Sequence, residues 1–276
     1  LGGKIISRIT RLDIQKLYQK LKKEGRVHDH PEYGYELSDT MVLRIHAMLH
    51  RCLKDAERDH IIPYNPTDGT KLPKNSYKPK QVLDREQMDA FLAAVDKNET
   101  WRDFFYTELT TGLRRGELLA LLWTDLDVEN MTISVSKQVN RINGELVVSQ
   151  PKTPNSIRRL AIPQRAVELL VEEHTKHPHS PYLFVSPKTG TMFDPDSFRH
   201  THEKILKAIG AEHIRFHDLR HTFATLSLKY GVDVKTLSGA LGHYDAGFTL
   251  STYTHATEGM KRSAADTIGS VISQTM

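Results

Sequence analysis

The chain has 276 residues, 38% of them hydrophobic, which suits about two domains with buried cores. A single cysteine, Cys52, excludes an intramolecular disulfide and fits a reducing, cytoplasmic compartment, and the longest apolar run, Leu118 to Trp123, falls far short of the ~20 residues a membrane span needs. The net charge of +4 is uneven, with 16 basic and 10 acidic residues through Lys80 against 22 and 24 after it, so the front either tracks a polyanion or is simply a lysine-rich surface.

No charged segment followed by an apolar one resembles a signal peptide, and the opening at Leu1 leaves room for an N-terminal piece ahead of it. The first helix is expected to open at Thr10, with Asp13 placed for a capping box. It carries Ile14, Leu17 and Leu21 on one side and Lys16, Lys20, Lys22 and Lys23 elsewhere. A second helix opens near Ser38 and sets Val42, Ile45, Leu49, Cys52 and Ala56 at helical spacing. On it Arg44, Arg51 and Arg58 recur every seven residues and point one way, a stripe that reads as plain surface or as a face for a nucleic-acid groove. Between Ile62 and Lys80, Pro63, Pro66, Gly69 and Pro73 preclude a long helix, while Lys71, Lys74, Lys78 and Lys80 make the segment basic. The expected division is a helical first domain over 1–62, a basic linker over 63–80 that can lie along a phosphate backbone, and a second domain over 81–276.

Asp84 is placed to cap a helix running through Val95. After Trp101 a mainly helical stretch is expected, interrupted at Thr111-Gly112 and continuing through Trp123. Met131 to Val135 reads as a strand, Asn143-Gly144 as a hairpin turn, Pro151 to Asn155 as another turn, and Leu160 to Ile162 as a return strand. From Gln164 onward the pattern is helix with short loops. The fold class is therefore mainly α with a small antiparallel β-sheet.

His213, His217 and His221, at i, i+4 and i+8, invite a zinc reading, since His217-Asp218-Leu219-Arg220-His221 looks like a metalloprotease motif with Asp for Glu. The shorter acid, the cation inside the motif and the burial implied by Phe216 and Leu219 argue against it, and no metal or other cofactor is expected. The second reading pairs His217 with Arg220, three residues apart on one helix face. Its weight comes from ordered neighbours. Upstream stand Thr111-Gly112-Leu113-Arg114-Arg115-Gly116-Glu117-Leu118 and then Lys152 in a turn. Downstream stand Leu241-Gly242-His243 and Tyr253 within Ser251-Thr252-Tyr253-Thr254-His255.

That ordered set resembles the tyrosine recombinase family of phage and transposon integrases, whose signature is Arg, Lys, His-x-x-Arg, His or Trp, then Tyr. The likeness runs from Gln81 to the end, and Pro151-Lys152-Thr153 with Ser156 and Arg158 looks most like integrases of conjugative transposons and temperate phages. It implies a catalytic domain over 81–276 and a core DNA-binding domain over 1–62. The DNA contacts expected are Lys16, Lys20, Arg44, Arg51, Arg58, Lys71, Lys74, Lys78 and Lys80. It also implies a reaction that cuts and rejoins DNA through a 3′-phosphotyrosyl bond to Tyr253, for integration and excision of a mobile element, without metal or ATP. Tyr244 is the rival nucleophile, set aside because it follows Gly242-His243 at a helix end; His243 and Tyr253 stand ten positions apart where many relatives have nine.

The chemistry suits these residue types. A phenol with a pKa near 10 needs a base at neutral pH, which the resemblance assigns to His217, with His243 donating to a phosphate oxygen. Arg114 and Arg220 offer rigid forks to the charge that builds on the non-bridging oxygens. Lys152 is implied as general acid for the leaving 5′ oxygen, and Glu117 as a brace. The partners implied are double-stranded DNA, further copies of the chain from dimer to tetramer joined through a C-terminal helix bearing Ala264, Ile268, Val271 and Ile272, and excision or DNA-bending accessory proteins. The setting implied is the bacterial nucleoid. Type IB topoisomerase, a helical DNA-binding regulator without catalysis, and a zinc hydrolase are the alternatives.

Overall fold

The computed structural model describes residues 1–74, 81–151, 154–243 and 245–253. Lys78, Lys80, Lys152, Tyr244 and the tail after Tyr253 lie outside them. The chain divides into two compact units, Leu1–Lys78 and Pro79–Met276.

The first unit is an α-helical pair, α1 (Arg11–Glu24) and α2 (Asp39–Arg58). Both begin where local chemistry dictates. Thr10 caps α1 in a reciprocal box with Asp13, and Ser38 accepts from the Met41 amide to cap α2. Ile14 and Tyr18 of α1 meet Val42, Leu53 and Ala56 of α2, with Ile62 closing the small core. Cys52 is exposed, against the stripe expected for it, because Leu53 takes the inward position. Arg44, Arg51 and Arg58 do face outward, although Arg51 and Arg58 each pair with Asp55, at 3.3 and 3.1 Å. The expected linker begins inside this unit. Asn65 and Thr67 are buried, the Asn65 amide donates to the His50 carbonyl, and Gln15 exchanges two hydrogen bonds with the backbone of Lys71.

The second unit opens on α3 (Arg85–Asp96), capped by Asp84. Next comes α4 (Arg102–Thr111), stopped by Gly112 in the left-handed region at φ 59°, where a side chain would run into Phe223. The helix expected to resume through Trp123 is only α5 (Arg115–Leu119). It ends early because the next residues pair with a distant segment: Leu183 N–H donates to the Leu121 carbonyl and Trp123 N–H to that of Pro181. Strands β1 (Leu126–Asp127), β2 (Thr132–Val135) and β5 (Arg158–Ala161) form one antiparallel sheet in the order β1-β2-β5. β3 (Gln138–Ile142) and β4 (Glu145–Ser149) form a separate hairpin, turned through Asn143 and Gly144, both at positive φ.

After α6 (Gln164–Lys176) the chain is irregular until α7 (Arg199–Ala208), where unbroken helices with short loops were expected. Pro178, Pro181, Pro187 and Pro195 remove helical donors there, and Gly190 turns the chain at φ 68°. The remaining helices are α8 (Phe216–Lys229), α9 (Val234–Leu241) and α10 (Ala246–Thr252). The main core gathers Phe91, Trp101, Phe104, Phe105, Phe184, Phe193 and Phe198 with aliphatic side chains from the sheet and from α6 and α8. Among the described residues no helix is long and apolar enough to cross a membrane.

Candidate active site

The site is built on the C-terminal end of α9. A helix end leaves carbonyls without intrahelical donors and carries partial negative charge. Here Gly242 closes the helix in the left-handed region at φ 62°, and three arginines from three other elements take the exposed carbonyls. Arg158, at the start of β5, donates through Nε to Ala240 at 2.7 Å. Arg220, on α8, donates through Nη2 to Leu241 at 2.6 Å and through Nη1 to Gly112 at 2.6 Å. Arg114, the residue that caps α5, donates through Nη2 to Gly242 at 3.2 Å.

Three guanidinium groups so close need an anion. Glu117, 1% exposed, supplies part of it: Oε1 accepts from Arg114 at 2.6 Å and Oε2 from Arg158 at 2.9 Å, while Oε2 also receives the Arg114 amide at 3.0 Å. Burial alone would raise its carboxyl, but Arg158 and then Arg114 outweigh burial and hold it below the usual carboxylate range. Gly116 lets α5 sit close to β3, since a side chain there would meet the Val139 carbonyl. Glu108, buried on α4, is pushed well above the usual range by burial, against the pull of Arg220. Arg220 itself is pushed down to about 10, by burial first and then by Arg114, so it stays charged at neutral pH. The arginines are thus preorganised on one side by carbonyls and Glu117, and Arg114 keeps a partly exposed side chain, 37% accessible, for a further anion.

Glu117→Ala is expected to lower unfolding stability by about 3 kcal/mol, because it leaves Arg158, 7% exposed, without its carboxylate. Urea denaturation checks this; a loss below about 1 kcal/mol would show that the carboxylate does not hold the cluster.

The histidines and the tyrosine complete the arrangement. His243 follows Gly242, and its Nδ1 lies 2.7 Å from Thr249 Oγ1. Burial first, then Arg220, Arg114, His221 and Arg158, push it down to about 4, so it is neutral at pH 7. His217 is lowered by burial and by Arg220. Tyr253, 4% exposed at the end of α10, places its hydroxyl 2.7 Å from His221 Nδ1. Burial pushes the phenol up to about 12, partly offset by the charge of Arg220.

The structure therefore brings Arg114, Glu117, His217, Arg220, His243 and Tyr253 into one unit. The phenol's hydrogen-bond partner is His221, not His217, whose ring centroid lies 4.9 Å from that of His221. Among the described residues no group of three His, Cys, Asp or Glu side chains is arranged to hold a metal ion. The sequence marks His221 only as a possible metal ligand and Arg158 only as part of the likeness, with no role in this cluster. A signal for Arg158 was present in the alternation of its strand, which puts it on the same side as buried Leu160.

Residues 81–260 match the phage integrase family. The ICEBs1 integrase of Bacillus subtilis is 30% identical over 272 residues, covering 94% of this chain and 73% of the relative. A protein named tyrosine recombinase XerC-like from Caldanaerobacter subterraneus is 27% identical over 297 residues, covering 97% and 73%. In fold the chain is similar to the Tn1549 transposon integrase in complex with transposon right end DNA, with a TM-score of 0.82 at 23% identity, covering 98% of this chain and 88% of that one. The chain belongs to the phage integrase family. It is a site-specific DNA recombinase, an enzyme that cleaves and rejoins DNA strands.

Proposed function

We propose that Tyr253 is the nucleophile and that a DNA phosphate sits against Arg114, Arg220 and His243. The observation that carries this is the gathering of guanidinium groups from α5, β5 and α8 onto one helix end, with the phenol of Tyr253 in the field of Arg220. Arg158 anchors that cluster from β5. The Tyr253 oxygen attacks phosphorus and the bond to the 5′ oxygen breaks. His217 takes the phenol proton, and Lys152 gives a proton to the departing oxygen. Energy of the broken ester is kept in the phosphotyrosyl bond, so a second 5′ hydroxyl can reverse the step on a new partner strand. The arginines provide the positive charge that the crowded phosphorus requires.

In this arrangement the phenol is buried, its hydroxyl lies 2.7 Å from His221 Nδ1, and burial raises its pKa to about 12. DNA or a second subunit must redirect it. The substrate is double-stranded DNA, contacted by Lys16, Lys20, Arg44, Arg51, Arg58, Lys71, Lys74, Lys78 and Lys80, with the first unit as the core-binding domain. The physiological event is integration and excision of a mobile element by a dimer-to-tetramer assembly linked through the C-terminal segment, helped by excision or DNA-bending proteins.

The test uses a nicked duplex carrying the tightest-binding sequence selected from random DNA. A detergent-resistant protein–DNA adduct should form, unaffected by a chelator, and binding should weaken steeply with salt. No adduct, or one abolished by the chelator, would overturn the proposal.

A further inference from the structure

We propose that Thr249 is the positioning residue of His243: its hydroxyl donates to Nδ1, holds the ring plane, and leaves the ring's one N–H on Nε2 to meet a phosphate oxygen. This rests on the reading of His243 as a phosphate donor. Thr249 is 0% exposed on α10, and its Oγ1 lies 2.7 Å from Nδ1 of His243. The residue is held at three places, one on its backbone and two on its ring. The His243 amide donates to the Ser238 carbonyl at 3.0 Å, tying it to α9. Phe248 meets the ring edge-on, with centroids 5.0 Å apart. Thr249 fixes the remaining freedom, rotation of the imidazole about its bond to the chain.

A neutral imidazole has one donor and one acceptor nitrogen, so the occupant of one side decides what the other can do. Neutrality follows from burial and from the cations facing the ring, Arg220, Arg114 and Arg158, with His221 adding to them. If Nδ1 kept the hydrogen, Nε2 would turn a lone pair on the phosphate oxygen and repel it. A hydroxyl can rotate to donate, which an alkyl group cannot. Thr249 also accepts the Tyr253 amide through its carbonyl at 3.1 Å. Through the Thr249 side chain the donor ring is thus linked to the helix that leads into Tyr253.

Thr249→Val keeps the shape and removes the hydroxyl. On the selected nicked duplex it should slow single-turnover cleavage about tenfold with DNA affinity within about twofold, and Thr249→Ser should recover most of the rate. In a His243→Trp background, whose indole N–H is fixed, Thr249→Val should add less than about twofold. Nitrogen-15 spectra of the histidine rings on DNA, read in a Tyr253→Phe background so that no cleavage occurs, should show His243 as the Nε2–H tautomer and a mixture after Thr249→Val. An Nδ1–H tautomer in the Thr249 protein, or an equal cost of Thr249→Val in the His243 and Trp backgrounds, would overturn the proposal. If His243→Trp is inactive, the spectra decide. Full cleavage by His243→Ala would instead overturn the phosphate-donor role, while the spectra would still report the Thr249 contact.

Discussion

Tyr253→Phe is expected to abolish covalent capture of nicked DNA, with residual adduct below about one part in a thousand and DNA affinity within about twofold. The substitution removes one oxygen, and in the proposed reaction that oxygen is the group that forms the ester. The ring stays packed among Leu228, Leu237 and Leu241, so the domain should remain folded. Loss of the hydrogen bond to His221 should cost about 1 kcal/mol of stability. Gel shift, adduct yield and thermal unfolding on the same preparation separate the three quantities. Adduct at the Tyr253 level would remove this residue from the chemistry.

Arg220→Lys is expected to reduce the cleavage rate about a thousandfold, and Arg114→Lys about a hundredfold. Arg220 is 2% exposed and spends two N–H groups on Gly112 and Leu241, which fixes the plane of its fork. A lysine would bring a compact ammonium that cannot satisfy both carbonyls and aim at a phosphate in one geometry. Stability should fall as well, because the carbonyl of Gly112 or Leu241 then goes without its donor. Arg114, more open and held by Glu117, should lose rate with little change in unfolding. Single-turnover rates and urea midpoints on both variants check the pair; equal rates for Arg220→Lys and the unmodified protein would contradict the proposed phosphate seat.

The helix starts were legible because capping is local. Thr10, Ser38 and Asp84 each accept an amide within their own first turn, so a few consecutive residues suffice to place them. Helix ends were less so. α5 stops at Leu119 because Leu121 is engaged by Leu183, more than sixty positions away, and no local signal records that pairing. Cys52 and Leu53 are adjacent apolar residues on α2, and only the partner helix decides which turns inward.

The ordered Arg, His-x-x-Arg, His, Tyr series was legible as a set, since family likeness preserves residue types and order. The way those residues are held was not. Three arginines share one helix terminus because Gly242 ends α9 beside α5, β5 and α8, a meeting of elements that sequence neighbours do not reveal. The pairing of Tyr253 with His221 is likewise tertiary. His221 stood in the sequence as a possible metal ligand, and the fold gives its Nδ1 to the phenol.

In the proposed reaction Tyr253, delivered to a phosphate held by these arginines, carries the DNA. Proteolysis of the adduct followed by mass spectrometry tests it most directly. The expected peptide contains Tyr253 with a nucleotide attached through its 3′ phosphate. A nucleotide on Tyr244, on a histidine, or joined through a 5′ phosphate would overturn the assignment of Tyr253.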